Sequence, residues 1–244
     1  MIEKIINRLQ RELPATVKLV AVSKFHPFEA IEEAYHAGQR IFAESRPQEL
    51  VAKIRRLEEK RQEMIAQAEQ EGGDRSAAES YMSDIQWHFI GHLQTNKLKM
   101  VLPYVDLVHS VDSVRLLDAI QSWASANDRM INVLLEPHVA AEESKQGFAA
   151  EEIHEILAKA ADGAWSNVSF KGLMGMATFT EDEEVIRQDF SLIRKIFDDC
   201  REKYPALAAD FTQLSIGMSD DYPIAIEYGS TMVRIGSMIF GERQ

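Results

Sequence analysis

Short continuous apolar runs alternate along this chain with stretches in which apolar positions recur every third or fourth residue. These are the marks of buried strands and amphipathic helices. Residues 2–13 (IEKIINRLQREL) have the helical period, and residues 17–23 (VKLVAVS) form the first apolar run. Residues 27–38 (PFEAIEEAYHAG) predict a helix, with proline near its start, acidic residues in its first turn and glycine at its end. A short strand at 40–44 leads to a long charged helix from Pro47 to about Gln70, broken by EGGDRS. Further strands are expected at 85–91, 105–111, 131–137, 168–176, 213–218 and 232–240. Helices are expected between them at 95–104, 113–127, 149–160, 181–204 and 220–229.

Strands separated by helices must run parallel, because parallel neighbours need a crossover. Eight candidate strands in 244 residues predict an α/β fold, a closed (β/α)8 TIM barrel with an extra N-terminal helix. A doubly wound open sheet is the alternative. No Pro/Ser/Gly-rich linker divides the chain, so residues 1–244 are expected to form one domain. Residues 55–80 predict a solvated helix face and surface loop.

Composition narrows the partners. The chain is 45% hydrophobic and 27% charged, ordinary for a globular protein, with a formal net charge of −12. That charge argues against a general nucleic-acid surface, which needs a basic patch. No apolar run approaches the ~20 residues of a membrane span, and residues 1–13 lack the apolar centre of a signal peptide. Cys200 is the single cysteine, so no internal disulfide forms and a reducing cytoplasm is the expected setting.

Candidate chemistry collects at strand ends. The first strand runs into AVSKFHP and stops at Lys24, at the face where barrel active sites form. Lys24 is either a surface lysine or an amine presented to a ligand. In SIGMSDD (215–221), Gly217, Met218 and Ser219 end a strand, and Ser219 can cap the short helix that follows. In GSTMVRIGS (229–237), Gly236 and Ser237 follow an arginine-bearing strand. Each cluster alone suits a cap or a turn. Together, after strands seven and eight, they favour phosphate binding. Arg234 lies inside an apolar strand, where a guanidinium needs a structural carboxylate or a ligand acceptor. Met174 and Met176 in GLMGMATF either fill core or line one face of a flat ring.

In WHFIGHLQTNK, His88 and His92 stand four apart, but on a strand that spacing is about 13 Å. No third ligand accompanies them, so no metal is expected; His88 is read as core and His92, Gln94 and Asn96 as pocket lining. A lysine desolvated beside cationic groups becomes an imine-forming amine. Lys24 facing a phosphate cradle implies a phosphorylated aldehyde, and pyridoxal 5′-phosphate fits.

The segments AVSKFHP, WHFIGHLQTNK, GLMGMATF and LSIGMSDDYPIAIEYGSTMVRIGSMIFG together strongly resemble the YggS/PROSC family of pyridoxal-phosphate-binding proteins. That resemblance implies a fold-type III barrel like the N-terminal domain of alanine racemase, and a role in vitamin B6 homeostasis without an established reaction. It implies a Schiff base on Lys24, a phosphate held by Ser219, Gly236 and Ser237 with Thr231 nearby, and Arg234 facing the pyridine nitrogen. A cationic partner there leaves the nitrogen unprotonated and weakens the ring as an electron sink. The chain departs from the family at Ala43, Glu44 and Ser45, where Gly-Glu-Asn is usual; Ser45 retains a hydroxyl for the asparagine's contact. His92 stands where proline or a small residue is expected. LEPHVAAEESKQGF is altered from an Asn-rich strand end, although Ser144, Lys145 and Gly147 keep the pattern.

The leading expectation is therefore a cytoplasmic, monomeric holder of pyridoxal phosphate that serves apo-enzymes needing the cofactor. The alternative is an amino-acid racemase using the same cofactor. A racemase of that pattern takes a tyrosine from a second domain, and here the sequence ends at FGERQ, just past the last strand. A cofactor-free Schiff-base aldolase is a third possibility, which visible absorbance separates from the first two.

Overall fold

The computed structural model describes residues 1–139 and 147–241. The chain runs α1 (Ile2–Glu12), β1 (Lys18–Val22), α2 (Phe28–His36), β2 (Ile41–Glu44), α3 (Pro47–Gln70), α4 (Ser76–Glu79) and β3 (Gln86–Phe89). A 3-10 turn at Thr95–Lys97 leads into α5 (Leu98–Val101), β4 (Leu107–Val111), α6 (Val114–Ala126) and β5 (Ile131–Leu135). Then come α7 (Ala150–Ala161), β6 (Val168–Met174), α8 (Glu183–Lys203), α9 (Pro205–Ala208) and β7 (Gln213–Ser215). The last elements are α10 (Tyr222–Glu227), β8 (Met232–Ile235) and α11 (Ser237–Phe240).

The eight strands pair in chain order, every pair parallel, and β1 against β8 closes the barrel. The expected barrel and the extra N-terminal helix are both present. Helix α1 buries Ile6 and Leu9 and packs against α2 and α11. It thereby completes the helical layer beside a last helix of only four residues.

Both faces of the strands are buried, which is why they read as continuous apolar runs. Leu19, Ala21, Val233 and Ile235 pack outward beneath the helices. Val20, Val22, Ala43, Leu107, Leu134, Met174 and Met232 form a separate inner cluster. On β1 the inner positions are therefore even-numbered, a phase that runs on toward Lys24; on β8, Arg234 follows Met232 in the same phase.

Strand β6 breaks this alternation. Val168 and Phe170 face outward, the pairing with β5 then slips by one residue, and Gly172 (φ +148°) lies so close to β7 that a Cβ would sit 1.7 Å from the Gln213 carbonyl oxygen. The bulge changes the phase, so Leu173 faces out and Met174 turns into the barrel.

Two elements differ from the sequence reading. Residues 95–104 split into the 3-10 turn and α5, with the break at Lys97, whose φ of −106° and ψ of −2° depart from regular helix. Residues 232–240 are a strand only to Ile235. Gly236 turns the chain where a Cβ would meet the Val22 carbonyl oxygen at 3.0 Å, and 237–240 coil as α11. As expected of a solvated face, no residue of α3 beyond Leu57 is buried.

Candidate cofactor-binding site

At the C-terminal mouth of the barrel lies a cleft of about 320 Å³ lined by Lys24, Ser45, Met174, Met218, Ser219, Arg234, Gly236 and Ser237. Val22, His26, Ile90, Met176 and Asp220 are also in its wall. One expected contact is corrected. Thr231 immediately precedes β8, at the opposite end of that strand from Gly236, and its Oγ1 accepts from the Leu214 amide at 2.7 Å. It belongs to the base of the barrel, away from the cleft.

The peptide carrying Lys24 is held on both sides. Before it, Ser23 is fully buried; its amide donates to the Ala43 carbonyl at 3.1 Å and its hydroxyl to Glu44 Oε1 at 2.6 Å. The Ser23 carbonyl accepts from Lys53 Nζ at 2.7 Å. After it, Phe25 adopts φ +67°, a left-handed conformation that bulky residues rarely take. Its amide donates to Glu49 Oε2 at 2.7 Å, and the Arg46 guanidinium covers its ring at 4.4 Å. Lys53 also pairs with Glu44 in a buried ion pair. Burial pushes the Glu44 carboxyl up from its ordinary value, while Lys53 and the Ser23 hydroxyl pull it down.

Beside the Lys24 peptide, at the ends of β7 and β8, Ser237 Oγ donates to Ser219 Oγ at 3.1 Å. The amides of Ser219, Gly236 and Ser237 have no protein acceptor among the described residues. Ser219 does not cap the helix as expected: α10 begins at Tyr222, and Asp221 is the N-cap, accepting from the Met218 amide. Ser219 is left facing Ser237. Gly217 makes this turn possible. It has φ +97°, and a Cβ there would lie 2.7 Å from Ala225 Cβ.

Arg234 is 5% exposed. Its Nη1 donates to the Ser215 carbonyl at 2.6 Å and to Ser215 Oγ at 2.8 Å, and Nη2 donates to the Gly175 carbonyl at 2.9 Å. No ion pair to a carboxylate is found for it among the described residues. Burial lowers its pKa to about 10, against the more distant pull of Asp221 and Glu136. The guanidinium stays charged at neutral pH, and its direct partners are the Ser215 hydroxyl and two main-chain carbonyls.

A larger cleft of about 700 Å³ adjoins the first, sharing Met176, Met218 and Asp220. Glu136 lines it. Burial, with nearby Asp112, raises its carboxyl to about 7, while Arg234 and His92 oppose the rise.

His88 is buried inside the barrel, as read. His92, Gln94 and Asn96 do line a pocket, but a separate polar one with Asp112 and Arg115; His92 Nδ1 lies 3.0 Å from Asp112 Oδ2. No cluster of three or more metal-ligating side chains occurs among the described residues. Ser144 and Lys145 lie outside the described residues.

Sequence reasoning missed the clamp of Glu44, Glu49 and Lys53 around Lys24, and missed His109 and Glu136. Glu44 and His109 did leave a signal, each being a polar residue in an apolar strand.

The cradle suits a phosphorylated aldehyde: an amine, two hydroxyls with unengaged amides, and a retained cation share one cleft. Such a barrel, with a lysine in the turn just after its first strand, is of the class formed by the N-terminal domain of alanine racemase, whose family model matches residues 2–244. The chain is 33% identical to the pyridoxal phosphate homeostasis protein of Aquifex aeolicus, over 100% of this chain and 97% of that one. It is 36% identical to the human protein of that name, over 99% and 82%. The PipY protein of Synechococcus elongatus PCC7942, solved with PLP bound, superposes with a TM-score of 0.81 at 30% identity, covering 99% of this chain and 100% of that one. The chain belongs to the pyridoxal phosphate homeostasis protein family.

Proposed function

We propose that this protein binds pyridoxal 5′-phosphate and serves intracellular homeostasis of that cofactor. The observation that carries the reading is the convergence of Lys24, Arg234, Ser219, Gly236 and Ser237 on one cleft. The naming of its relatives and the PLP-bound PipY structure support it.

Bound pyridoxal phosphate supplies an aldehyde that condenses with an amine and a ring that can draw electrons from the adduct. Lys24 is the attachment point, on a backbone its neighbours hold still. Ser219 and Ser237 hold the phosphate through hydroxyls and amides, with Gly236 between strand and helix allowing close approach. Met174 and Met218 flank the ring, and Ser45 donates from the β2 side. Arg234 would offer the ring nitrogen a fixed positive charge and N–H donors, without giving up a proton to it. A cation there disfavours ring protonation and weakens the ring as an electron sink, which favours holding the cofactor over broad carbanion catalysis.

In this reading the whole chain is one barrel domain, works as a cytoplasmic monomer, and has apo-enzymes as recipients of the cofactor. Burial pushes the Cys200 thiol up to about 12 and leaves it a poor nucleophile. Among the described residues no helix is long and apolar enough to cross a membrane.

The test is mass spectrometry after borohydride reduction of the cofactor-loaded protein. One pyridoxyl group is expected on Lys24, and none in Lys24→Ala. Recovery of the group on another lysine, or robust turnover of any amino acid in a racemase panel, overturns the reading.

A further inference from the structure

Beneath the cleft the barrel interior is not wholly apolar. His88 on β3, His109 on β4, Ser215 on β7 and Arg234 on β8 are each no more than 5% exposed. They form one hydrogen-bonded string. His109 Nε2 stands 2.9 Å from His88 Nδ1, and His109 Nδ1 stands 3.0 Å from Ser215 Oγ. Arg234 Nη1 reaches the same Oγ at 2.8 Å.

The direction of every proton follows from the donor inventory. A guanidinium only donates, so Ser215 Oγ accepts from Arg234. The hydroxyl's one hydrogen then needs an acceptor, and His109 Nδ1 is the acceptor it reaches. A neutral His109 must therefore carry its hydrogen on Nε2 and give it to His88 Nδ1. His88 in turn keeps its hydrogen on Nε2. Burial holds both rings neutral: it lowers His88 to about 3 and His109 well below its ordinary value, where His88 and Arg234 add to the effect.

We infer that His109 is a positioning residue for Arg234. By taking the hydroxyl hydrogen of Ser215 it turns that oxygen's lone pairs toward the guanidinium, and so sets how Arg234 presents its charge in the cleft. Without such an acceptor, Ser215 would keep a buried hydrogen unpaired or rotate it toward Arg234, and one of the three bonds on the guanidinium would weaken. His109 does not line the cleft; its hydrogen-bonded route to Arg234 is Ser215.

The spectral consequence rests on the function proposed above, whereas the tautomer is a property of the chain itself. Long-range 1H–15N correlation on cofactor-free protein should show both histidines neutral with hydrogen on Nε2; hydrogen on His109 Nδ1 overturns the inference. In loaded protein, His109→Leu and Ser215→Ala should each shift the cofactor's visible absorption and release it about tenfold faster, as expected for loss of a hydrogen bond to a charged group. His109→Asn places an amide oxygen near the Nδ1 position and should restore both. A merely space-filling role predicts that the leucine variant behaves as the unchanged protein, or that asparagine rescues nothing, and either result overturns the inference. If His109→Leu fails to fold, Ser215→Ala decides. A chain that takes up no cofactor ends the functional reading instead; unshifted Arg234 side-chain resonances in Ser215→Ala would then still overturn this one.

Discussion

Lys53 Nζ donates to the main-chain carbonyl of Ser23 at 2.7 Å, from 30 residues away in sequence, and thereby fixes the peptide from which Lys24 projects. The same ammonium pairs with Glu44, which also accepts the Ser23 hydroxyl. All three polar groups of Ser23 are thus engaged. A lysine that must hold a small molecule gains from such an anchor: its flexible stem moves while its Cα does not. The left-handed Phe25 on the other side, held by Glu49, serves the same end.

Removing the ammonium should therefore cost stability before it costs binding. Lys53→Met leaves Glu44 buried without a cation, a situation that destabilises by about 3–5 kcal/mol. The double variant Lys53→Met, Glu44→Leu removes both charges and should recover most of that loss. Urea denaturation of the two variants measures it. Equal stability of the single variant and the unchanged protein would show that the pair contributes nothing.

The hydroxyls of Ser219 and Ser237 can be tested with a ligand lacking the phosphate. Ser219→Ala and Ser237→Ala should each weaken pyridoxal phosphate binding by about tenfold, the effect of one hydrogen bond to a charged group. Neither should alter the affinity for pyridoxal. Absorbance titration with both ligands separates the cases, and equal losses for the two would place these serines elsewhere than at the phosphate.

Lys24, Ser219, Gly236 and Ser237 were legible because strand ends of a parallel barrel converge whatever their separation in sequence. Arg234 was legible because a charge inside an apolar strand demands a reason. Thr231 shows the limit of such reading. It shares a segment with Gly236, yet five extended residues at ~3.3 Å each put roughly 16 Å between them. Met174 faces the cleft only because the bulge at Gly172 changes the phase of β6, which no period-two pattern announces. The Lys53 clamp needs α3 folded back against the β1 loop, and His109 gains meaning only when β4 and β7 bring it to Ser215. These are relations between elements, and a single sequence carries no signal for them.

Arg234→Ala should shift the visible absorption of the bound cofactor and speed its release, because the charge proposed to face the ring is gone. The folded chain should be destabilised only modestly, by about 1–3 kcal/mol: three hydrogen bonds are lost, but a desolvated cation goes with them. Arg234→Lys keeps a charge without the planar fork and should fall between the two. A spectrum and an off-rate unchanged in the alanine variant would remove Arg234 from the ring.

Glu136 gives the fold a pH dependence of defined sign. Its carboxyl is raised from 4.5 to about 7, chiefly by burial. Between those values the folded chain holds a proton that the unfolded chain has released. Stability from this group is therefore complete below pH 4.5 and is lost as pH rises through 7. A shift of that size corresponds to at most about 3.4 kcal/mol. Glu136→Gln cannot ionise, so its stability relative to the unchanged protein should rise by up to that amount between pH 4.5 and 8. Urea midpoints for both proteins at several pH values measure the difference. A constant difference across the range would mean that Glu136 ionises in the folded chain as it does in water, and that its cleft is wetter than its burial indicates.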